Sequence, residues 1–241
     1  MGVLLMLMTI GGLIVAGIVL AISLIGKKAW LTKFTLGGVA IWLAFYVVML
    51  FGFSLTSNEK ILGVNEPKEY CGFYLDCHLH TRVIEIQKAK NILGHKANGV
   101  FYVVTTEVYS NARNPNIRFR LIKPEAVILD SDGNRFTRNE SVELDLSSGP
   151  LDLGQDIKGS ERLRKELVFD IPETSTGLRM LVTEGYGIDK AIEAVLVGDE
   201  DSVMHKHAYF AVADSHPGVE PSFGAAVQRM PNTPAVEVRA Q

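Results

Sequence analysis

Two long runs of uncharged, apolar residues dominate the start of the chain. The first runs from Val3 to Ile25 and the second from Phe34 to Leu55, and neither contains a charged side chain. At about 1.5 Å per residue, each run is long enough as a helix to cross a hydrocarbon core of about 30 Å. Helices this long without a polar face are rare inside soluble proteins. Residues 1–57 are therefore predicted to form a two-helix transmembrane anchor.

A secretory signal peptide is the main alternative for the first run. Ala21-Ile22-Ser23 has the small-x-small pattern of a cleavage site. However, the apolar stretch is longer than the usual core of a signal peptide, and no basic residue precedes it. We expect the first helix to be retained.

The connector between the two runs sets the expected orientation. It is GKKAWLTK, residues 26–33, and it carries Lys27, Lys28 and Lys33, the only charged residues before Glu59. The connector is too short to form a domain, so the helices should make a hairpin. Lysine-rich loops stay in the cytoplasm. Both termini and the rest of the chain are therefore expected on the periplasmic or extracellular side of a bacterial inner membrane.

Small residues recur four positions apart in both runs. The pairs are Gly12 with Ala16, Gly17 with Ala21, and Ala40 with Ala44. Such pairs allow close helix approach, either within the hairpin or against a partner's helices, and the sequence leaves both uses open. Because the runs contain no Asp, Glu, Lys, Arg or His, we do not expect an ion path or proton relay lined by this chain alone.

The rest of the chain has the composition of a soluble domain. Residues 58–241 contain all 27 acidic residues against 21 of the 24 basic ones. A whole-chain charge of -3 argues against general nucleic-acid binding. The polar residues 58–70 are predicted to be a linker and 71–214 a periplasmic or extracellular domain. Residues 215–241, with four prolines, are predicted to be a C-terminal tail.

Seven runs rich in β-branched and aromatic residues predict an antiparallel, immunoglobulin-like β-sandwich. Asp132-Gly133 between two of them is a hairpin turn signal, favoured over a calcium loop because no distant glutamate follows. Residues 189–197 fit either a short helix or a buried strand, and the acidic cluster 198–202 is predicted to be a solvated turn. The predicted strands are His80–Gln87, Val100–Tyr109, Ile117–Ile122, Ala126–Leu129, Arg135–Thr137, Arg162–Ile171 and Gly177–Thr183.

Three segments of the domain resemble a known family. They are GVFYVVTTEVYSN (99–111), AVILDSDGNRF (126–136) and FDIP (169–172). They are similar to bacterial membrane-anchored immunoglobulin-like extracellular domains of unknown function, which are themselves similar to secreted mycobacterial immunoprotective antigens. Asn111, Asp130 and Gly133 fill the motif positions, and the resemblance covers roughly residues 78–185. It implies an exported, membrane-tethered β-sandwich without a shared catalytic site, although the lipoprotein cysteine of many such domains is missing here.

The only two cysteines, Cys71 and Cys77, lie at the start of the predicted domain on the oxidising side of the membrane. A disulfide is the favoured interpretation, with buried free thiols or metal and redox chemistry as alternatives. The spacing is not Cys-x-x-Cys, which disfavours covalent haem attachment.

Two His-x-His pairs are the candidate metal ligands. They are His78 with His80 and His205 with His207. On a strand, the period of two places each pair on one face, and imidazoles suit copper or zinc. Nothing in the sequence shows that the two pairs meet, so satisfied surface or interface histidines are the favoured interpretation.

No GxSxG, HExxH, P-loop or GxGxxG motif is found in the chain. We therefore expect neither an enzyme nor a cofactor. The leading hypothesis is an accessory or scaffold subunit of a membrane protein complex, such as a respiratory or photosynthetic one, whose partners are integral membrane proteins and the lipid bilayer. The alternatives are a free-standing periplasmic ligand-binding module and a histidine-rich copper or zinc protein.

Overall fold

The computed structural model describes residues 2–70, 78–114, 116–146, 152–185 and 187–212. The two apolar runs form helices α1 (Gly2–Ile25) and α2 (Ala29–Thr56), joined by a tight turn in which Lys27 has a φ of 51°. Both helices are long and apolar enough to cross a membrane, and little of either is buried by the rest of the chain. Two apolar N-terminal helices are thus confirmed.

Polar bonds between α1 and α2 fix the hairpin. The Trp42 indole donates to the Thr9 hydroxyl at 3.1 Å, and the hydroxyls of Ser23 and Thr32 lie 2.6 Å apart beside the turn. Few residues of the helices are buried, among them Met6 on α1 and Leu50 on α2. Most of the exposed residues of the hairpin are apolar.

The rest of the described chain is β-rich, with two short helices, α3 (Glu140–Leu146) and α4 (Ile188–Glu193). The strands form two larger sheets and one two-stranded ribbon. They are β1 Lys60–Leu62, β2 Lys68–Tyr70, β3 Leu79–Ile92, β4 His95–Ser110, β5 Arg118–Phe119, β6 Glu125–Leu129, β7 Arg135–Thr137, β8 Ile157–Lys158, β9 Arg162–Ile171, β10 Arg179–Thr183 and β11 Ala208–Ala211.

One sheet has five strands in the order β1-β11-β10-β6-β7, and the other has four in the order β2-β3-β4-β9. All strand pairs are antiparallel except β1 with β11, and β5 pairs with β8 in a separate ribbon. One apolar core lies between the two larger sheets. It contains Val83, Val104 and Leu167 from the four-stranded sheet and Ile128, Met180 and Phe210 from the five-stranded sheet. The domain is therefore a β-sandwich in its packing.

Most predicted strands lie where the structure has strands. Arg135–Thr137 and Arg162–Ile171 match β7 and β9 in both bounds, and β6 and β7 form the hairpin around Asp132-Gly133. In contrast, the predicted strand Ile117–Ile122 is reduced to the two residues of β5. Residues 189–197 begin as the helix α4 rather than as a strand.

The predicted linker 58–70 contributes two strands to the sandwich. β1 pairs with β11, and β2 pairs with β3 through Lys68 opposite Thr81. Their three-residue length hides them in the sequence, because so short a stretch shows no periodicity. The ordered domain therefore begins at Lys60 rather than at Cys71. Cys71, Cys77 and the tail 215–241 lie outside the described residues, so the disulfide stays a prediction.

Candidate interaction surface

The outer face of the four-stranded sheet is divided into a covered half and an open half. Helix α3 covers the half nearest the β3–β4 hairpin, where Val142 packs with Phe101, Val103 and Val168. In the other half, the register places His80, Tyr109 and Arg162 in one cross-strand row. Arg82, Glu107 and Arg164 form the next row.

We call the cluster of Arg82, Glu107, Tyr109, Arg162 and Arg164 the arginine platform. At its centre, the Glu107 side chain has no exposed surface. Arg82 donates to Glu107 Oε1 from Nη2 at 2.6 Å and from Nε at 3.0 Å. Arg162 Nη1 reaches the same oxygen at 3.0 Å, and Arg164 Nε reaches Oε2 at 2.8 Å. One carboxylate thus accepts from three guanidinium groups.

These contacts decide the charge of Glu107. Burial favours the neutral acid, but the hydrogen bonds from Arg164 and Arg82 and the charges of Arg82 and Arg162 outweigh it, so the pKa of Glu107 is lowered. Glu107 is therefore ionised near neutral pH and acts as a fixed counter-ion to the three arginines. Three cations around one anion leave two net positive charges on the platform.

Tyr109 supports the guanidinium groups from within the platform. The Cζ atoms of Arg82 and Arg162 lie 5.2 Å and 5.5 Å from the centre of its ring, which is cation–π range. The His80 ring stacks on Tyr109 with a centroid distance of 5.2 Å and an interplanar angle of 23°. His80 is itself buried, and neither ring nitrogen hydrogen-bonds a described residue.

The outward side of the platform is positively charged. Arg162 and Arg164 are 56% and 64% exposed although both bind Glu107, so their remaining donors face outward. Guanidinium groups pair well with carboxylates and phosphates. On one side the next row contains Glu85 and Glu166, and burial together with the nearby Glu85 raises the pKa of Glu166. This acidic row limits the positive surface to the two rows of the platform.

The platform was not predicted from the sequence. The one local signal is Arg162-Leu163-Arg164, because alternate residues on a strand share a face. That Arg82 and Glu107 join this face depends on the register of β3 and β4, which the sequence does not give.

The structure places the four candidate histidines in two separate environments. His78 Nδ1 lies 2.7 Å from Asn111 Oδ1 at the end of β3, and His80 stacks on Tyr109. His207 precedes β11 in the other sheet, with Nδ1 3.5 Å from the Asp201 carboxylate, and His205 Nδ1 lies 3.0 Å from the Lys206 carbonyl. Among the described residues, no three histidine, cysteine, aspartate or glutamate side chains come together as metal ligands. These residues therefore do not bring the two histidine pairs together as candidate copper or zinc ligands.

The small residues of the hairpin lie mainly outside the α1–α2 contact. Gly12, Gly17 and Ala21 are exposed on α1, and Ala40 and Ala44 are exposed on α2. Ala16 alone of the predicted set is half-buried. The hairpin therefore does not use most of these residues for its own packing.

The acidic cluster 198–202 belongs to a segment that joins the domain to the hairpin. We call residues 187–206, from the start of α4 to the residue before His207, the junction segment. The Glu200 carboxylate binds the buried Lys68 ammonium at 2.7 Å, and Lys68 also donates to the Val182 carbonyl at 2.9 Å. Beside these groups is a cavity of about 600 Å³, at whose wall burial raises the pKa of Tyr70. The predicted solvated turn is instead half-buried and bonded to β2.

Comparison with known proteins adds three similar structures. No family model matches the chain, and no curated protein matches it. A secreted protein from Mycobacterium tuberculosis, MPT63, has a TM-score of 0.40 and 12% identity, covering 65% of this chain and 99% of its own. The yjhA protein from Bacillus subtilis has a TM-score of 0.40 and 9% identity, covering 64% and 100%. A conserved hypothetical protein from Bacillus anthracis has a TM-score of 0.37 and 17% identity, covering 54% and 96%.

Proposed function

We propose that this chain is a non-catalytic accessory subunit of a membrane protein assembly. Its hairpin packs among the helices of an integral membrane partner, and its immunoglobulin-like domain covers the periplasmic or extracellular side of that partner. The observation that carries the proposal is the open glycine-rich surface of the hairpin. A respiratory or photosynthetic assembly is one kind of partner that such a subunit would stabilise.

The glycines of the hairpin leave room for another helix. A Cβ atom added at Gly12 or Gly17 of α1, or at Gly37 or Gly38 of α2, meets nothing within 4 Å. Since glycine lowers helix stability by about 1 kcal/mol relative to alanine, these residues cost stability without serving the contact between α1 and α2. Small residues in membrane helices permit close contact with a second helix, which supports the presence of a partner.

The expected orientation places the domain where it contacts the same partner. Lys27, Lys28 and Lys33 in the connector favour the cytoplasm, so α1 begins and α2 ends on the opposite side of the inner membrane. The arginine platform then faces the periplasm or the exterior. We expect it to bind an acidic patch of the partner, because its two net positive charges are partly exposed.

Purification of the full chain in mild detergent tests the proposal. We expect integral membrane proteins to co-migrate at fixed stoichiometry in size-exclusion chromatography and mass spectrometry. A Gly17→Leu variant should lose those partners, whereas Ile18→Leu, a matched exposed position, should keep them. A lone monomer or homo-oligomer in the wild type would contradict the proposal.

A second candidate is a free-standing module that binds an anionic ligand. The arginine platform favours it, because outward guanidinium donors also suit a small carboxylate or phosphate. A chain purified as a monomer that captures such a ligand, and loses it in Arg162→Gln and Arg164→Gln, would favour this candidate over the accessory subunit.

A further inference from the structure

The junction segment lies against the side of the hairpin, not above its end. Its Ser202 hydroxyl is 3.1 Å from the hydroxyl of Ser54, close to the end of α2. Tyr46, eight residues earlier in α2, donates to the Val195 carbonyl at 2.6 Å. Eight helical residues span about 12 Å, which is more than the length of a tyrosine side chain. Residues 195–202 therefore run alongside the last turns of α2.

The first residue of α1 also lies against the junction segment. A Cβ atom built on Gly2 would lie 2.2 Å from the Val197 carbonyl oxygen, so backbone meets backbone there. A Cβ atom on Gly198 would lie 4.0 Å from Phe53. The segment thus contacts both helices at the end that carries the domain.

Three apolar side chains of the junction segment are more exposed to solvent than its described acidic side chains. Val195, Val203 and Met204 are 43%, 41% and 66% exposed. In contrast, the side chains of Glu200 and Asp201 are only 27% and 31% exposed. Burial is also the main cause of the raised pKa of Asp199, to which the charges of Asp201 and Glu200 add. Glu200 binds Lys68 of the domain, whereas Val195, Val203 and Met204 stay exposed beside the buried Leu196 and Val197.

The exposed charges among the described side chains of the segment are positive. They belong to Lys190 and Lys206. Lysines at a membrane surface extend their ammonium groups toward lipid phosphates while their aliphatic stems stay in apolar surroundings. The exposed side chains thus combine apolar residues with cations, as membrane-surface segments do.

We propose that the junction segment is a membrane-interfacial element that inserts Val195, Val203 and Met204 into the leaflet on the side of the domain. The bilayer is its partner, because contacts with Ser54 and Gly2 hold the segment at the end of the hairpin that carries the domain, and the contact with Tyr46 holds Val195 deeper along α2. Insertion would fix the distance and tilt of the sandwich relative to the membrane. The proposal rests on the membrane-spanning hairpin of the proposed function.

Label depth in vesicles tests this proposal on the full chain. A keto amino acid is introduced at Val203 and coupled to a nitroxide, which leaves both cysteines untouched. The same label at Ile14, exposed in the middle of α1, reports on the hairpin, and at Leu144, exposed on α3, it reports on the domain surface. The protein is placed in vesicles of phosphatidylethanolamine and phosphatidylglycerol, and collisions with oxygen and with a water-soluble nickel chelate are compared.

We expect collisions with oxygen to exceed collisions with the nickel chelate by a wide margin at Ile14 and by a smaller margin at Val203. At Leu144 we expect collisions with the nickel chelate to prevail. A Met204 label should repeat the Val203 result. If Val203 and Met204 match Leu144 while Ile14 is deep, the interfacial element is refuted and the membrane anchor stands. If Ile14 is itself open to nickel, the hairpin does not span the bilayer, and both proposals fail.

Discussion

The arginine platform and the junction segment are both unusual surfaces, but in opposite ways. On the platform, cations face outward and the Glu107 carboxylate is buried beneath them. On the junction segment, Val203 and Met204 face outward while acidic groups are turned inward. Exposed charge is stable in water, and exposed apolar surface is stable against lipid. One small domain can thus present a charged surface on one face and an apolar surface on another.

Removal of the platform cations should give the largest effect on stability. Arg82, Arg162 and Arg164 are replaced together by glutamine, which leaves the Glu107 carboxylate buried without a counter-ion. The expected loss in the free energy of unfolding is about 3 kcal/mol near neutral pH, the cost of a buried unpaired charge. Urea unfolding of the full chain in micelles measures it. Glutamine at the exposed Arg113, Arg120 and Arg135 is the matched control and should change little.

The pH dependence of stability in the same variants tests the role of the Glu107 carboxylate in the platform. Because the pKa of Glu107 is lowered in the folded chain, its stabilising contribution is present above the unfolded value of about 4.3. That contribution is lost as the pH falls through the folded pKa. In the triple glutamine variant the unpaired carboxylate should instead gain from protonation, so the difference from wild type should shrink on acidification. An unchanged difference between pH 7 and pH 4 would contradict this account of Glu107.

Gly2→Ala should give the next largest loss of stability, through the contact between α1 and the junction segment. The added methyl group meets the Val197 carbonyl, so the junction segment must shift, at a cost of about 2 kcal/mol. Gly12→Ala adds the same group where nothing lies within 4 Å, and should be neutral or slightly stabilising because alanine favours the helix. Thermal unfolding of the two variants compares them. Equal behaviour would mean that the segment does not pack on α1.

Tyr46→Phe should give the smallest effect. It removes the hydrogen bond to the Val195 carbonyl and should lower stability by about 1 kcal/mol. Tyr102→Phe is the control, since Tyr102 contacts Lys88 through its ring, which phenylalanine retains. Faster hydrogen exchange at residues 195–203 in Tyr46→Phe alone would locate the change. Identical exchange in both variants would remove Tyr46 as an anchor of the segment.

Features that depend on local composition were predictable from the sequence. The uncharged runs predicted α1 and α2, and the strand-forming residues of Arg162–Ile171 predicted β9 with both of its bounds. The Asp132-Gly133 turn joins β6 and β7 because glycine accepts the φ of 83° found there. In these cases the physical cause lies within a few neighbouring residues.

Features that depend on pairing across the chain were not predictable. β1 and β2 are three residues each and exist because β11 and β3 supply their partners. The platform needs β3, β4 and β9 in one register, and a slip of one residue would turn its side chains to the other face. The period of two predicted that the two histidines of each pair share one face of a strand. No local pattern shows whether two pairs that lie far apart in the sequence come together in the fold.

The parallel pairing of β1 with β11 has a consequence for the order in which the chain folds. β1 follows α2 directly, whereas its partner begins at Ala208, so almost the whole domain separates them in the chain. Such non-local contacts form late, because a long loop must close first. During synthesis the hairpin leaves the ribosome first, and the edge strand next to it must wait unpaired until the last described strand arrives. The domain can complete its five-stranded sheet only after the hairpin has been made.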